Sequence, residues 1–279
     1  MVYCAIQSVD HRRVSMRVIV MVCLFFVCGL PANAIVMRHD TGYGSYLARE
    51  SDYPAVFPLL QQNRRKTCIA TLVAAQWAIT AAHCVEQAGL PVSWRAGDVF
   101  PVQIAGQPHA VVSVIYHPAW PGQASEMREA AEVDLALLKL QTTVDHVSPM
   151  PLYAGHDEQG QVMTFVGWGY SGIGSTAEQF NDGRLRFARN TVIAASSQLR
   201  FQFDDPHAEQ SLAVPFEGIP GLGDSGGPAI LRRDAEEYLA GVAIGEVEQG
   251  RGLGLYGATV IYERISLHHD WIQEVVAIH

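Results

Sequence analysis

Hydrophobic residues recur along this chain in short, separated blocks. Cys68 to Val73, Trp77 to Ala81, Val111 to His117, Asp134 to Leu140, Val162 to Trp168, Tyr238 to Ile244 and Thr259 to Ile265 are apolar and rich in β-branched or aromatic residues. That composition suits a pleated, half-buried surface. Turn-forming residues separate the blocks. Helical spacing emerges only at the end, where Leu267, Trp271, Ile272, Val275 and Val276 follow Ser266, a predicted N-cap. The pattern predicts an all-β chain with a C-terminal helix. Pro121 to Glu132, Ser171 to Arg184 and Gly245 to Ala258, rich in Gly or charge, are expected as surface loops. No repeat or low-complexity tract divides the chain, so its strands form one unit or two stacked barrels.

The first 34 residues stand apart from this pattern. Arg12, Arg13 and Arg17 precede an uncharged run from Val18 to Leu30, and Pro31-Ala32-Asn33-Ala34 ends in an A-x-A site. Basic, then apolar, then small is the order of a signal peptide, and the run is too short to span a bilayer. Residues 1-34 are therefore expected to be removed, leaving 35-279 as one domain, secreted to an extracellular or periplasmic space without a stable membrane anchor. The stretch before Met16 is long for such a segment, and a start at Met16 gives a more ordinary one.

Charge and cysteine content narrow the partners and the compartment. Lys+Arg at 19 against Asp+Glu at 28 gives a net charge of −9. Three basic residues and one acidic residue leave with the signal, so the remainder carries −11. Such a surface disfavours nucleic acid as a partner. Of five cysteines, Cys4, Cys23 and Cys28 lie in the signal. Cys68 and Cys84 would meet an oxidising compartment and are expected to form one disulfide.

Three motifs carry chemistry. In Gly223-Asp224-Ser225-Gly226-Gly227-Pro228 a serine is flanked by glycines. Such a turn can leave backbone N–H groups open beside a nucleophile, although G-x-S-x-G also marks the nucleophile elbow of α/β-hydrolases. Thr80-Ala81-Ala82-His83-Cys84 places a histidine at the end of an apolar strand, next to a cysteine that can be tied down. A general base needs a fixed position of this kind. Val133-Asp134-Leu135-Ala136-Leu137-Leu138 puts one carboxylate in an apolar strand. Burying it is costly unless it is paired, and a histidine ring N–H is its natural partner. The adjacent His268 and His269 do not share a helix face, so they do not suggest a metal and are expected to face solvent.

Together these motifs, in the order His, Asp, Ser, resemble the trypsin/chymotrypsin family of serine proteases, as do Gly167-Trp168-Gly169, the Cys68/Cys84 pair, Tyr262 and Trp271. The order disfavours the α/β-hydrolase alternative, whose acid and histidine follow the serine. The resemblance implies two six-stranded antiparallel β-barrels with a C-terminal α-helix. It also implies a serine endopeptidase in which Ser225 is the nucleophile, His83 the general base and then acid, and Asp134 the orienting carboxylate. The N–H groups of Gly223 and Ser225 would form the oxyanion hole, and no metal or organic cofactor is required. Implied partners are protein or peptide substrates and protein inhibitors. An inactive protease-fold binding protein and a serine esterase stand as alternatives.

The chain also departs from that family. Having only one cysteine pair, it resembles pared-down bacterial members, and Gly221 stands where a cysteine often precedes Gly-Asp-Ser. Ile219 occupies the position of the pocket-floor Asp of trypsin-like members, which disfavours Arg or Lys as the preferred side chain. Gly241 to Gly245 lacks the usual Ser-Trp-Gly, and Val260 replaces a common glycine. Ile219, Ile244, Gly245 and Val260 are thus expected at the substrate pocket, and Glu246 or Glu248 could enter it instead. Family members usually begin with Ile-Val, whose freed amino group pairs with the Asp preceding the nucleophile. Ile35-Val36 follows Ala34 directly, so Ile35 and Asp224 are the expected activation pair, although Met37-Arg38-His39-Asp40 does not match the usual Gly-Gly continuation.

Overall fold

The computed structural model describes residues 35–61, 65–122, 132–176, 178–247 and 253–278. Residues 1–34, expected as a signal peptide, most of the expected loop 121–132, and Glu248 lie outside them. Strand β1 (Val36–Met37) opens the described chain. Six strands follow: β2 (Val56–Gln61), β3 (Arg65–Ala74), β4 (Trp77–Thr80), β5 (Phe100–Ile104), β6 (Gln107–Tyr116) and β7 (Ala136–Leu140). They pair antiparallel in the order β2-β3-β4-β7-β6-β5. Pro58 and Pro101 sit on β2 and β5, the two edges of this sheet, where a missing N–H costs no ladder bond. Helices α1 (Ala82–Ala88) and α2 (Leu90–Arg95) connect β4 to β5.

The second half holds β8 (Val162–Gly167), β9 (Ser171–Ile173), β10 (Gln179–Phe180), β11 (Arg186–Ala195), β12 (Gln198–Gln202), β13 (Gly218–Ile219), β14 (Pro228–Arg233), β15 (Glu236–Val247) and β16 (Thr259–Arg264). Six of these close a barrel in the order β11-β12-β16-β15-β14-β8. Its core is aromatic, with Phe165 edge-on to Phe201 at 4.8 Å and stacked on Tyr262 at 4.9 Å between ring centres. The expectation of two six-stranded barrels and a C-terminal helix therefore holds.

Three local expectations change. The stretch 171–184 is not all loop, because β9 and β10 join β1 and β13 in a small four-stranded sheet. That sheet ties the start of the described chain to the second barrel. Helix α3 (Ile265–Ile278) begins before Ser266, whose hydroxyl donates to Glu158 Oε1 at 2.7 Å instead of capping. Arg264 brackets the same Glu158 carboxylate through Nε and Nη2, which fixes the entry to the helix. The helix buries Ile265, Ile272 and Val275, whereas Leu267 is exposed. His268, finally, is not solvent-facing. Its side chain is 11% exposed, Nε2 is 3.9 Å from Glu263 Oε2, and the ring meets His117 edge-on. Among the described residues no helix is long and apolar enough to cross a membrane.

Candidate active site

His83 stands not at a strand end but in the first turn of α1, three residues after the end of β4. The N-cap residue Ala81 has no side chain able to satisfy the open N–H groups of that turn. Asp134 takes this role from the residue pair preceding β7. Its carbonyl accepts the Ala82 N–H at 3.3 Å, and its Oδ1 accepts the His83 N–H at 2.9 Å. Oδ2 lies 2.6 Å from His83 Nδ1. One buried carboxylate thus caps the helix and fixes the imidazole ring, leaving Nε2 on the far side. A carboxylate at a helix N-terminus is favoured by the helix dipole as well. Asp134 is 2% and His83 8% exposed, so the pair is largely removed from water.

The Cys68–Cys84 disulfide joins β3 to α1 at the residue after His83. The same strand holds the serine turn, since Ile69 N–H donates to Ser225 O at 2.8 Å. Gly226 approaches so closely that a Cβ there would lie 2.2 Å from Ile69 O and 2.3 Å from Thr80 Oγ1. These contacts seat Ser225 against the strands that lead into His83. Gly223 and Gly226 have φ of 91° and 78°, a region glycine enters without penalty. Around them Asp224 N–H donates to Gly221 O and Gly226 N–H to Ala243 O. Among the described residues no protein group accepts the N–H of Gly223 or Ser225, which leaves two donors for an oxyanion.

Asp224 points the other way and is buried. Gly169 N–H donates to its Oδ1 at 2.6 Å, and Gly221 and Ile35 N–H donate to its Oδ2 at 3.0 and 3.1 Å. Burial pushes its pKa up, against these donors, which favour the charged form. The surrounding glycines have a spatial reason. A Cβ at Gly167 would lie 2.0 Å from Asp224 Oδ1, one at Gly169 2.5 Å from Leu222 O, and one at Gly221 1.7 Å from Tyr170 O. No side chain fits at Gly221, because the Tyr170 backbone occupies the space.

A cavity of about 240 Å³ opens beside Ser225, walled by Pro220, Leu222, Ala243, Gly245, Glu246 and Val260 among others. Gly245 and Val260 are therefore where the sequence suggested. Ile219 is wholly buried in β13 and does not line the cavity. Ile244 instead faces a second cavity, of about 450 Å³, beside Asp134. Glu246 reaches both cavities, and its carboxylate accepts the Gly254 N–H at 3.0 and 3.2 Å. Sequence reasoning missed Glu263. It is 2% exposed on β16, and its Oε1 accepts the Asp134 N–H at 3.0 Å. A charged residue within the apolar Thr259 to Ile265 block was the available signal.

Two antiparallel six-stranded barrels, with a His–Asp pair and a serine turn between them, define a trypsin-like fold. The family model described as Trypsin matches residues 46–272, and the chain belongs to that family. It is 26% identical over 264 residues to Complement C1s subcomponent of Sus scrofa, covering 90% of this chain and 37% of that protein. It is 25% identical over 262 residues to Transmembrane protease serine 11C of Mus musculus, covering 88% and 55%. Serine protease SP24D of Anopheles gambiae is 29% identical over 236 residues, covering 82% and 79%. The chain thus spans well under two thirds of the first two relatives' length.

Proposed function

We propose that this chain is a secreted serine endopeptidase, with residues 35–279 as its protease domain after loss of residues 1–34. The carrying observation is the buried 2.6 Å contact between His83 Nδ1 and Asp134 Oδ2, on a helix disulfide-linked to the strand that seats Ser225. Ser225 Oγ attacks the peptide carbonyl while His83 Nε2 takes its proton. The oxyanion forms toward the N–H groups of Gly223 and Ser225. Collapse expels the amine, protonated by His83, and leaves an acyl-enzyme that water hydrolyses by the same route. Asp134 holds the ring tautomer and stabilises the imidazolium, and Glu263 fixes the Asp134 backbone. The side chain preceding the cut bond enters the cavity beside Ser225.

Activation follows from Ile35. Its φ is 59°, a costly conformation for a β-branched residue. Chain scission after Ala34 removes the preceding carbonyl that defines this angle and converts the nitrogen into an ammonium beside the buried Asp224 carboxylate. Signal removal then completes the site without a separate propeptide cleavage.

The test is labelling with a fluorophosphonate, followed by digestion of a peptide library and an ester panel. Wild type labels at Ser225 and cleaves peptides, whereas Ser225→Ala loses nearly all turnover, a loss on the order of 10⁶ in a comparable triad. Asp134→Asn falls by roughly 10⁴, as in the trypsin triad. A Ser225→Ala protein retaining more than about a hundredth of wild-type turnover overturns the assignment. Labelling without peptide cleavage but with ester turnover makes it an esterase.

A further inference from the structure

A cluster unrelated to the serine lies on the outer face of the second barrel. His39, two residues beyond β1, and His207, in the stretch after β12, bring Nε2 and Nδ1 to 3.2 Å of each other. Asp205 adds a carboxylate, and one ligand atom from each of these three residues falls within 4.8 Å of the others. Two imidazole nitrogens bound at 2.0–2.1 Å to one tetrahedral zinc ion stand about 3.3 Å apart, close to the separation seen.

The remaining ring nitrogens have oxygens nearby, within hydrogen-bond reach for His39 and at ion-pair distance for His207. His39 Nδ1 is 2.7 Å from the Tyr256 hydroxyl, and His207 Nε2 is 3.8 Å from Asp40 Oδ2. Protons held on those outer nitrogens leave the two lone pairs facing each other across the gap. That arrangement repels unless a cation or a shared proton sits between them. An oxygen partner behind the imidazole is the usual support of a metal-bound histidine, and Tyr256 stands in that place for His39. The nearby cation, Arg38, is engaged by Asp40 and the Val214 carbonyl. Both histidines are exposed, so an ion can enter from solvent.

We propose that His39, His207 and Asp205 form a surface site for a divalent transition metal, zinc foremost, with water in the fourth position. Imidazole donors favour zinc, copper and nickel over calcium or magnesium. The ion adds a link between the segment after β1 and the stretch after β12, beside the Arg38 bond to the Val214 carbonyl. His39 follows the Ile35–Val36 start, and Tyr256 follows Leu253 and Gly254, which wall the cavity beside Ser225. Occupancy therefore braces both the activation segment and the pocket wall. Binding itself does not depend on the reading of Ser225.

Titration calorimetry of zinc chloride into chelator-treated Ser225→Ala protein tests the site without turnover. The expected result is one zinc per chain at micromolar Kd, with Tm rising by several degrees at a hundredfold excess over Kd. His39→Gln and His207→Gln each weaken binding at least tenfold, and Tyr256→Phe, an outer partner, weakens it about tenfold. Calcium gives no saturable heat. Absence of saturable zinc binding overturns the site and leaves a proton-sharing histidine pair. Unchanged affinity in both histidine variants also overturns it, since the zinc then binds elsewhere.

Discussion

Replacing Gly226 with alanine tests the packing that seats the serine turn. The backbone there has φ 78°, and a Cβ would lie 2.2 Å from Ile69 O, 2.3 Å from Thr80 Oγ1 and 3.2 Å from Ala81 N. The left-handed conformation alone costs roughly 1–2 kcal/mol. Relieving the clash requires β3 to move or Thr80 to abandon its 2.7 Å hydrogen bond to Ile69 O, which adds about 1–3 kcal/mol. The total is about 2–5 kcal/mol, and the displacement falls on the residue after the nucleophile. Gly245→Ala is the control, because Gly245 lies in the wall of the cavity beside Ser225 with nothing within 4 Å of an added Cβ. Urea denaturation should show Gly226→Ala destabilised by that amount and Gly245→Ala within about 0.5 kcal/mol of wild type. Fluorophosphonate labelling should drop at least a hundredfold in the first variant only. A Gly226→Ala protein as stable and as readily labelled as wild type would refute the contact between the serine turn and β3.

Three further outcomes follow from the same structure. Removing the disulfide by Cys68→Ala with Cys84→Ala opens a loop of sequence separation 16, which should cost about 3 kcal/mol and several degrees of Tm by calorimetry; an unchanged Tm would show that the loop is held without it. Burial, with His117 alongside, pushes His268 down to about 4, so the unfolded chain takes up this proton first and stability is lost as pH falls from about 6.5 towards 4. His268→Phe should flatten that limb in a pH series of melts, and an unaltered slope would assign it to other groups. A protein carrying one extra residue before Ile35 should fold but lose at least a hundredfold in peptide turnover, and full activity in that form, checked by N-terminal sequencing, would remove the Ile35–Asp224 pair from the mechanism.

The strands legible in the sequence are those buried with few polar interruptions, such as β4, β7 and β8. Several of the unread strands break the pattern for a local physical reason. Pro58 and Pro101 disguise β2 and β5, yet both are edge strands where proline is tolerated. In β11, Arg186 and Asn190 face inward, one paired with Asp182 and the other donating to Gln202 and Gly218 carbonyls, so buried positions read as polar. Strands β1, β9, β10 and β13 span two or three residues each, too few to show a period.

Candidate site residues divide along a different line. His83, Asp134 and Ser225 were legible because each sits in a local string whose neighbours make sense only with that residue: a carboxylate among leucines, a serine among glycines. Glu263 was not legible as a contact, because its partner comes from a distant segment, whereas Glu246 was legible as a residue that could enter the pocket and lines it. Asp134 is 129 residues from Glu263, and the cavity that Glu246 enters is assembled from several loops. The same distinction governs His39 and His207, which are 168 residues apart and ordinary in their own surroundings. A motif records what a backbone turn needs, whereas the field acting on that motif is set by side chains the fold brings from elsewhere. Specificity and regulation belong to that second set, so two chains sharing the His, Asp and Ser strings can differ in both without altering either barrel.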